Sequence, residues 1–380
     1  MQGMFLVFFS IVVGVSALGN LYIWRLGRCF IPSGTLRTVY TAVFVFLAVS
    51  YFAGRFGQRL LSYENPLPCA LIWVGSFWIA MMLYLGIATI AVDLSVLAAK
   101  GLSAAGLALP SVETIRRIGG IAGWVLALLV VAAGYINAQN RIVREVKVRI
   151  ASHLDAPLTI AAVTDVHLGL QIGRADLDRM VDRINRLNPD IVVIGGDLFD
   201  EDLTPVVNGK FGDALYRLRA RYGVFAVTGN HEYFSGVERA VDYMSKHGIR
   251  VLRNESVEAG PMLVAGRDDR VSERMTGKKR LSLEEIVKGR NGRPLVVIDH
   301  TPGSIEESVA AGADLHISGH THAGQMWPFN FLTRAIFTVS NGPARFGDTN
   351  VYVSSGYGTW GPPVRTGNRP EIVKFVISGN

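Results

Sequence analysis

Cysteine is almost missing from this 380-residue chain: Cys29 and Cys69 are the only two. Everything beyond residue 69 therefore lacks both a disulfide framework and a thiolate metal site. Charge is scarce over the first 140 residues, which carry Arg25, Arg28, Arg37, Arg55, Arg59, Lys100, Arg116 and Arg117 against Glu64, Asp93 and Glu113. That scarcity, with a mean hydropathy of +0.30, excludes a wholly soluble enzyme. Met1–Ser10 contains no Lys or Arg, and no twin arginine precedes the first apolar stretch. The stretch thus lacks the charged flank of a cleavable signal and reads as a retained helix. Internal repeats and low-complexity tracts are also missing. Most of the net charge of +7 falls in the apolar part, where anionic headgroups and insertion rules select it. Charge therefore indicates no nucleic-acid partner.

In place of charge, the first 140 residues hold four apolar stretches, at about 4–24, 38–54, 71–92 and 118–138. A hydrocarbon core about 30 Å thick takes roughly 20 apolar residues to cross. The stretches predict a transmembrane α-helical region of about four helices over 1–140, and so a multi-pass protein of the cell membrane with the lipid bilayer as a partner. Buried core helices would alternate with polar-faced ones, and none intervene. With four spans, Cys29 and Cys69 fall on opposite faces and cannot pair. Flanking charges balance, with Arg25, Arg28, Arg37, Lys100, Arg116 and Arg117 facing Arg55, Arg59, Arg141, Arg144, Lys147 and Arg149. Residues 142–150 alternate like a strand, so their charges belong to a folded domain. Discounting them predicts an extracytoplasmic C-terminal domain. Asp93 has no second intramembrane acid beside it and reads as an interfacial or helix-packing residue. Lys100–Arg117 reads as an interfacial loop with a short helix.

From Leu158 onward a short apolar run, a polar turn and a helix-like segment repeat. The runs 158–163, 191–194, 224–227, 295–298 and 315–317 are rich in Val and Ile, as buried strands are. Leu177, Met180, Val181, Ile184 and Leu187 recur at helical spacing, and Pro189 ends that helix. This rhythm predicts an α/β domain over 141–380. In open α/β sheets ligands bind beyond the carboxyl ends of the strands, and each run here ends in potential metal ligands. They are Asp165 and His167, then Asp197, then Asn230 and His231, then His300, then His320 and His322.

The ordered set Asp165-Val-His167, Gly196-Asp197-Leu-Phe-Asp200, Gly229-Asn230-His231-Glu232, His300 and Gly319-His320-Thr-His322 resembles the calcineurin-like metallophosphoesterase signature. The resemblance covers about 158–376, and the ending from Ser355 to Glu371 looks like the membrane-associated YkuE-like bacterial branch. It implies a β-sheet sandwich flanked by helices, and a hydrolase that attacks phosphate esters with a metal-bound hydroxide. It also implies the ligand set. Asp197 would bridge two divalent ions; Asp165, His167 and His322 would complete the first site, and Asn230, His300 and His320 the second. Such mixed carboxylate, amide and imidazole ligands suit Mn, Fe or Zn, with Mn favoured. His231 would face the phosphate and either protonate the leaving oxygen or stabilise the transition state, and Asp200 would orient a ligand or His231. Gly195, Gly196, Gly229 and Gly319 would let the backbone turn beside the ions.

The implied substrate is a phosphate ester, with a phosphodiester or pyrophosphate favoured, and the spans make a lipid-linked one the leading candidate. The rival is a metal-binding membrane sensor or scaffold without turnover. His153, His247 and His316 lie outside the motifs and read as surface or strand residues. The charge-rich run Arg267–Arg293 reads as a solvated loop and helix in preference to a cap over the active site. Arg365 and the turn Gly356–Gly361 either clamp substrate or form a structural hairpin. Trp327 and Trp360 either line an apolar cleft or sit at the bilayer surface.

Overall fold

A computed structural model describes residues 2–61, 63 and 65–379, with the backbone alone for residues 2–9. The chain divides into two units, residues up to 135 with 361–364, and residues 136–360 with those from 365 onward.

In the first unit, α1 (Gln2–Gly27), α2 (Thr35–Leu60), α3 (Pro66–Ala104) and α4 (Val112–Gln139) are four helices long and apolar enough to cross a membrane. They expose Leu18, Val45, Leu97 and Leu129 outward, an arrangement unfavourable in water and natural in lipid. Polar groups turn inward instead. Trp78 donates its indole N–H to Asn20 at 2.9 Å, and Asp93 accepts from Tyr22 at 2.8 Å while pairing with Arg25. Asp93 thus has the helix-packing role its isolation suggests. A Cβ on Gly75 would lie 2.3 Å from the Tyr51 backbone nitrogen, so glycine is what lets α2 and α3 pack this closely. The interfacial loop is shorter than the run from Lys100 to Arg117. Ala, Leu and Ser keep α3 helical to Ala104, and the chain turns only at Gly106, with φ +91°.

Among the described residues, the second unit is built on twelve strands. They are β1 (Ile142–Arg149), β2 (Leu158–Val163), β3 (Ile191–Ile194), β4 (Val224–Ala226), β5 (Arg250–Val251) and β6 (Glu255–Ala259), followed by β7 (Met262–Gly266), β8 (Leu295–Ile298), β9 (Leu315–Ser318), β10 (Gly342–Phe346), β11 (Thr349–Val353) and β12 (Glu371–Ser378). They form two six-stranded mixed sheets, ordered β1-β12-β2-β3-β4-β5 and β10-β11-β9-β8-β7-β6. β2 to β5 are parallel, and β12 enters parallel to β1 and antiparallel to β2. β7, β8, β9 and β11 are parallel, flanked by antiparallel β6 and β10.

The sheets pack face to face, with Ile160, Val193 and Phe375 of the first meeting Val264, Val296 and Tyr352 of the second in one buried cluster. The outer face of the first sheet is covered by α5 (Arg174–Arg186), whose Leu177, Met180, Val181 and Ile184 pack on Val163, Val192 and Ile194. Strands covered on both faces must be apolar throughout, which explains the short Val and Ile runs. Their carboxyl ends deliver the loops after β2, β3, β4, β8 and β9 to one region.

Phe375 is fully buried between the sheets, edge-on to Tyr352 at 5.4 Å. Phe375→Ala should destabilise the protein by about 3–5 kcal/mol, whereas Val143→Ala on the exposed face of β1 should stay within about 0.5 kcal/mol. Thermal unfolding of the two variants in detergent checks the contrast.

Candidate metal centre

The strands β2, β3, β4, β8 and β9 end two to four positions before their first donor, and the donors converge. His167 Nε2 lies 3.0 Å from His322 Nε2, and His322 Nε2 lies 3.5 Å from Asp165 Oδ1. In a second group His300 Nε2 lies 3.1 Å from Asp197 Oδ2, and His320 Nδ1 lies 3.0 Å from Asn230 Oδ1. Asp165, His167 and His322 offer atoms all within 4.8 Å of one another, as do Asp197, His300 and His320. Asp197 Oδ2 is addressed from both groups, since His167 Nε2 approaches it to 4.0 Å. His231 and Asp200 adjoin the first group, with His231 Nδ1 3.5 Å from Asp200 Oδ1. All eight residues expected from the sequence, with Asp200, are thus drawn into one region.

These spacings fit cations. Donors sharing one ion at about 2.0–2.2 Å sit roughly 3.0–3.5 Å from each other, the range of the His167–His322, His322–Asp165, His300–Asp197 and His320–Asn230 pairs. His300 Nε2, His167 Nδ1 and His231 Nδ1 are buried yet make no hydrogen bond, and His300 is oriented by Nδ1, 2.8 Å from the Gly195 carbonyl. A carbonyl only accepts, so Nδ1 carries the hydrogen and Nε2 is turned to Asp197.

Burial, reinforced by the charge of His231, pushes His167 down to about 3. Burial and the Arg365 guanidinium likewise hold His322 well below the imidazole range. Both stay neutral, as ligands must. Burial opposes a charge on His300, yet the Asp197 carboxylate overrides it and raises His300 well above the ordinary range. Burial also opposes the charge on Asp197, and His300 more than offsets this, so Asp197 stays ionised. A cation held between His300 and Asp197 would therefore displace the His300 proton. For His231, burial again disfavours charge, but Asp200, Asp197 and Glu232 push it up to about 9.

The backbone is strained to reach this arrangement. Asp165, His167, Asp197, His320 and His322 all have φ between 47° and 68°, a region costing about 1–3 kcal/mol per non-glycine residue. Gly196 turns at φ +89°, but Gly229 and Gly319 are needed for a different reason from sharp turning. A Cβ on Gly229 would lie 2.1 Å from Asp197 Oδ1, and one on Gly319 2.2 Å from Asp165 Oδ2. Hydrogen bonds hold the carboxylates in place: His320 N–H donates to Asp165 Oδ1 at 2.9 Å, and His231 N–H to Asp197 Oδ1 at 2.8 Å.

Glu232 was given no role by its place in the motif. It is fully buried and accepts from the backbone N–H groups of Asp197, Phe199 and Gly229 at 2.9, 3.1 and 2.7 Å. It thereby ties the loop after β3 to the loop after β4. Its position three residues after Gly229 is the spacing of a helix capping acid, the signal that marks it.

Arg365 is fully buried and donates to the Ser355 and Gly358 carbonyls at 2.7 and 2.6 Å, with His322 Nδ1 3.2 Å away. It is a structural residue behind His322 and is not free to clamp substrate. The run Arg267–Arg293 is not wholly solvated either. Arg267 and Arg280 are buried against Asp299, at 3.5 and 2.7 Å, directly before His300. His316 is a buried strand residue between Ser308 and Ser318, His153 is exposed, and His247 is half-buried. The rim is aromatic, with Phe234 and Trp360 5.4 and 6.2 Å from the His231 ring and Phe337 6.1 Å from His320.

The family model for calcineurin-like phosphoesterases matches residues 158–324. A metallophosphoesterase of Aquifex aeolicus is 34% identical over 230 residues, covering 58% of this chain and 85% of that one. A metallophosphoesterase of Helicobacter pylori is 35% identical over 215 residues, covering 56% of this chain, which spans only 57% of that relative's length. The transmembrane protein with metallophosphoesterase domain of Bos taurus is 29% identical over 398 residues, covering 95% of this chain and 86% of that one.

Because Asp197 faces both groups, Asp197→Ala should lower bound metal at both, from about two divalent ions per chain to well under one. His316→Ala, outside the groups, should leave the content unchanged. Elemental mass spectrometry of protein purified in detergent with Mn²⁺ distinguishes these outcomes.

Proposed function

Since the chain belongs to the calcineurin-like metallophosphoesterases, metal-dependent phosphoester hydrolases, and is a membrane protein, we propose that it cleaves phosphodiesters or pyrophosphates carried by membrane lipids. The observation that carries this reading is the single Asp197 carboxylate set between two groups of donors, with His231 beside them. Asp165, His167 and His322 would hold one divalent ion and Asn230, His300 and His320 a second, shared through Asp197, with Mn favoured over Fe or Zn. Such a pair neutralises the phosphoryl oxygens and activates a water.

The chain's own residues supply the rest. His231 holds a proton and gives it to the oxygen leaving phosphorus as the water oxygen bonds to phosphorus. Asp200, 3.5 Å from His231 Nδ1, keeps the imidazole charged and aimed. Arg365 is committed to backbone carbonyls and adds no clamp for the extra charge of a terminal phosphate. This supports a phosphate substituted on both sides. Phe234 and Trp360 beside His231 put apolar surface where a leaving group would lie. The four spans confine the domain to a membrane, which supports a lipid-linked ester, and the flanking charges support an extracytoplasmic active site.

With bis(p-nitrophenyl) phosphate and Mn²⁺, His231→Asn should lower kcat by about 10²–10⁴ while metal content is retained. In the wild type the rate should fall on the alkaline side as His231 loses its proton. The limb should lie below about 9, because bound cations repel an imidazolium, and His231→Asn should abolish it. Hydrolysis absent from wild type and variant alike, with metal bound in both, would favour the non-catalytic scaffold. A C-terminal alkaline phosphatase fusion should be active, and a cytoplasm-only fluorescent reporter dark, if the domain faces outward.

A further inference from the structure

The helix Phe329–Ile336 is amphipathic in the wrong sense for water. None of its residues is buried, and Phe329, Phe331, Leu332 and Ile336 point outward, 42%, 58%, 56% and 62% exposed. The more covered positions are the polar Asn330 and Thr333. Trp327, immediately ahead of the helix, is 46% exposed, and its N–H is anchored by Thr366 Oγ1 at 2.8 Å. A surface helix of a soluble domain turns its apolar side to the core. This one presents a large apolar ridge, which marks an interaction surface.

Two further observations name the occupant. The chain supplies its own bilayer through four apolar helices, and only two residues separate the end of α4 at Gln139 from the start of β1 at Ile142. The ridge also runs into the rim of the metal centre. Gln325 hydrogen-bonds Trp360 at both its backbone N–H and C=O, at 3.0 Å each, and Phe337, the next residue after the helix, contacts His320. Trp and Phe are side chains that favour the headgroup boundary, and Arg334 among them suits an anionic surface.

We propose that the helix Phe329–Ile336, with Trp327 and Trp360, is an interfacial docking element that lies in the headgroup region of the chain's own membrane and brings the mouth of the metal centre to phosphate esters there. The docking stands on the apolar ridge alone. Its catalytic consequence rests on the phosphoesterase reading.

The test uses full-length protein with Cys29→Ser and Cys69→Ser, carrying Phe331→Cys or, as a control, Lys246→Cys, labelled with an environment-sensitive fluorophore. It is reconstituted in vesicles of phosphatidylcholine and phosphatidylglycerol, with or without phosphatidylcholine brominated high on its acyl chains. Docking predicts blue-shifted, bromine-quenched emission at position 331 and water-like, unquenched emission at 246. Water-like emission at 331 overturns the proposal. So does blue-shifted emission that bromine leaves unquenched, which points to a second copy of the chain on the ridge. A second arm compares Phe331→Ser/Leu332→Ser/Ile336→Ser with wild type. Turnover of a soluble chromogenic diester should be unchanged, while turnover of a bilayer-embedded diester drops at least roughly tenfold. Equal loss on both substrates, or on neither, overturns the catalytic consequence. Inactivity of the wild type on both esters with quenching intact removes the phosphoesterase reading and leaves the docking standing.

Discussion

Two cations held a few ångströms apart would need an anion between them, and in the centre proposed for this protein Asp197 is the carboxylate placed to serve. Its carboxylate faces His300 on one side and His167 on the other, while its second oxygen is held by the His231 backbone N–H. Burying such a group is unfavourable unless every lone pair is engaged. The surroundings are arranged accordingly, with Glu232 fixing the Asp197 backbone and Gly229 leaving room for its oxygen. Around this carboxylate the neutral histidines, the left-handed backbone positions and the charged His231 form one dependent set.

The sandwich makes that set possible by supplying rigidity. Strands buried on both faces cannot shift without exposing Val and Ile, so their ends are fixed points. Loops that start from β2, β3 and β4 in one sheet and from β8 and β9 in the other can then hold residues in strained conformations that an isolated loop would relax. The strain belongs to the loops, and the stabilisation that tolerates it comes from the core.

Much of this was legible in the sequence. Five apolar runs match five strands because burial on both faces demands uninterrupted β-branched residues, and each donor could be picked out because it follows such a run. The four apolar helices were legible for the equally simple reason that lipid tolerates few charges. What escaped depends on partners distant in the chain. Arg267 and Arg280 looked solvated because their counter-ion, Asp299, lies 32 and 19 residues away. Arg365 could be read as clamp or scaffold until its carbonyl partners were located. Glu232 sat inside a motif without a visible task, since backbone N–H groups leave no mark in a sequence. The end of α3 was placed too early because an isolated lysine says little about where helix-forming residues stop.

The strand β1 follows the apolar helix α4 directly, and among the described residues it pairs with β12 alone. All eight residues from Ile142 to Arg149 pair with Glu371 to Ser378, more than two hundred positions later in synthesis. A ribosome working at the bilayer therefore finishes every loop that bears a donor before β1 acquires a companion. Throughout that interval β1 offers an unsatisfied edge to any passing chain. The arrival of the final strand closes this seam, making assembly of the catalytic half a late, long-range event.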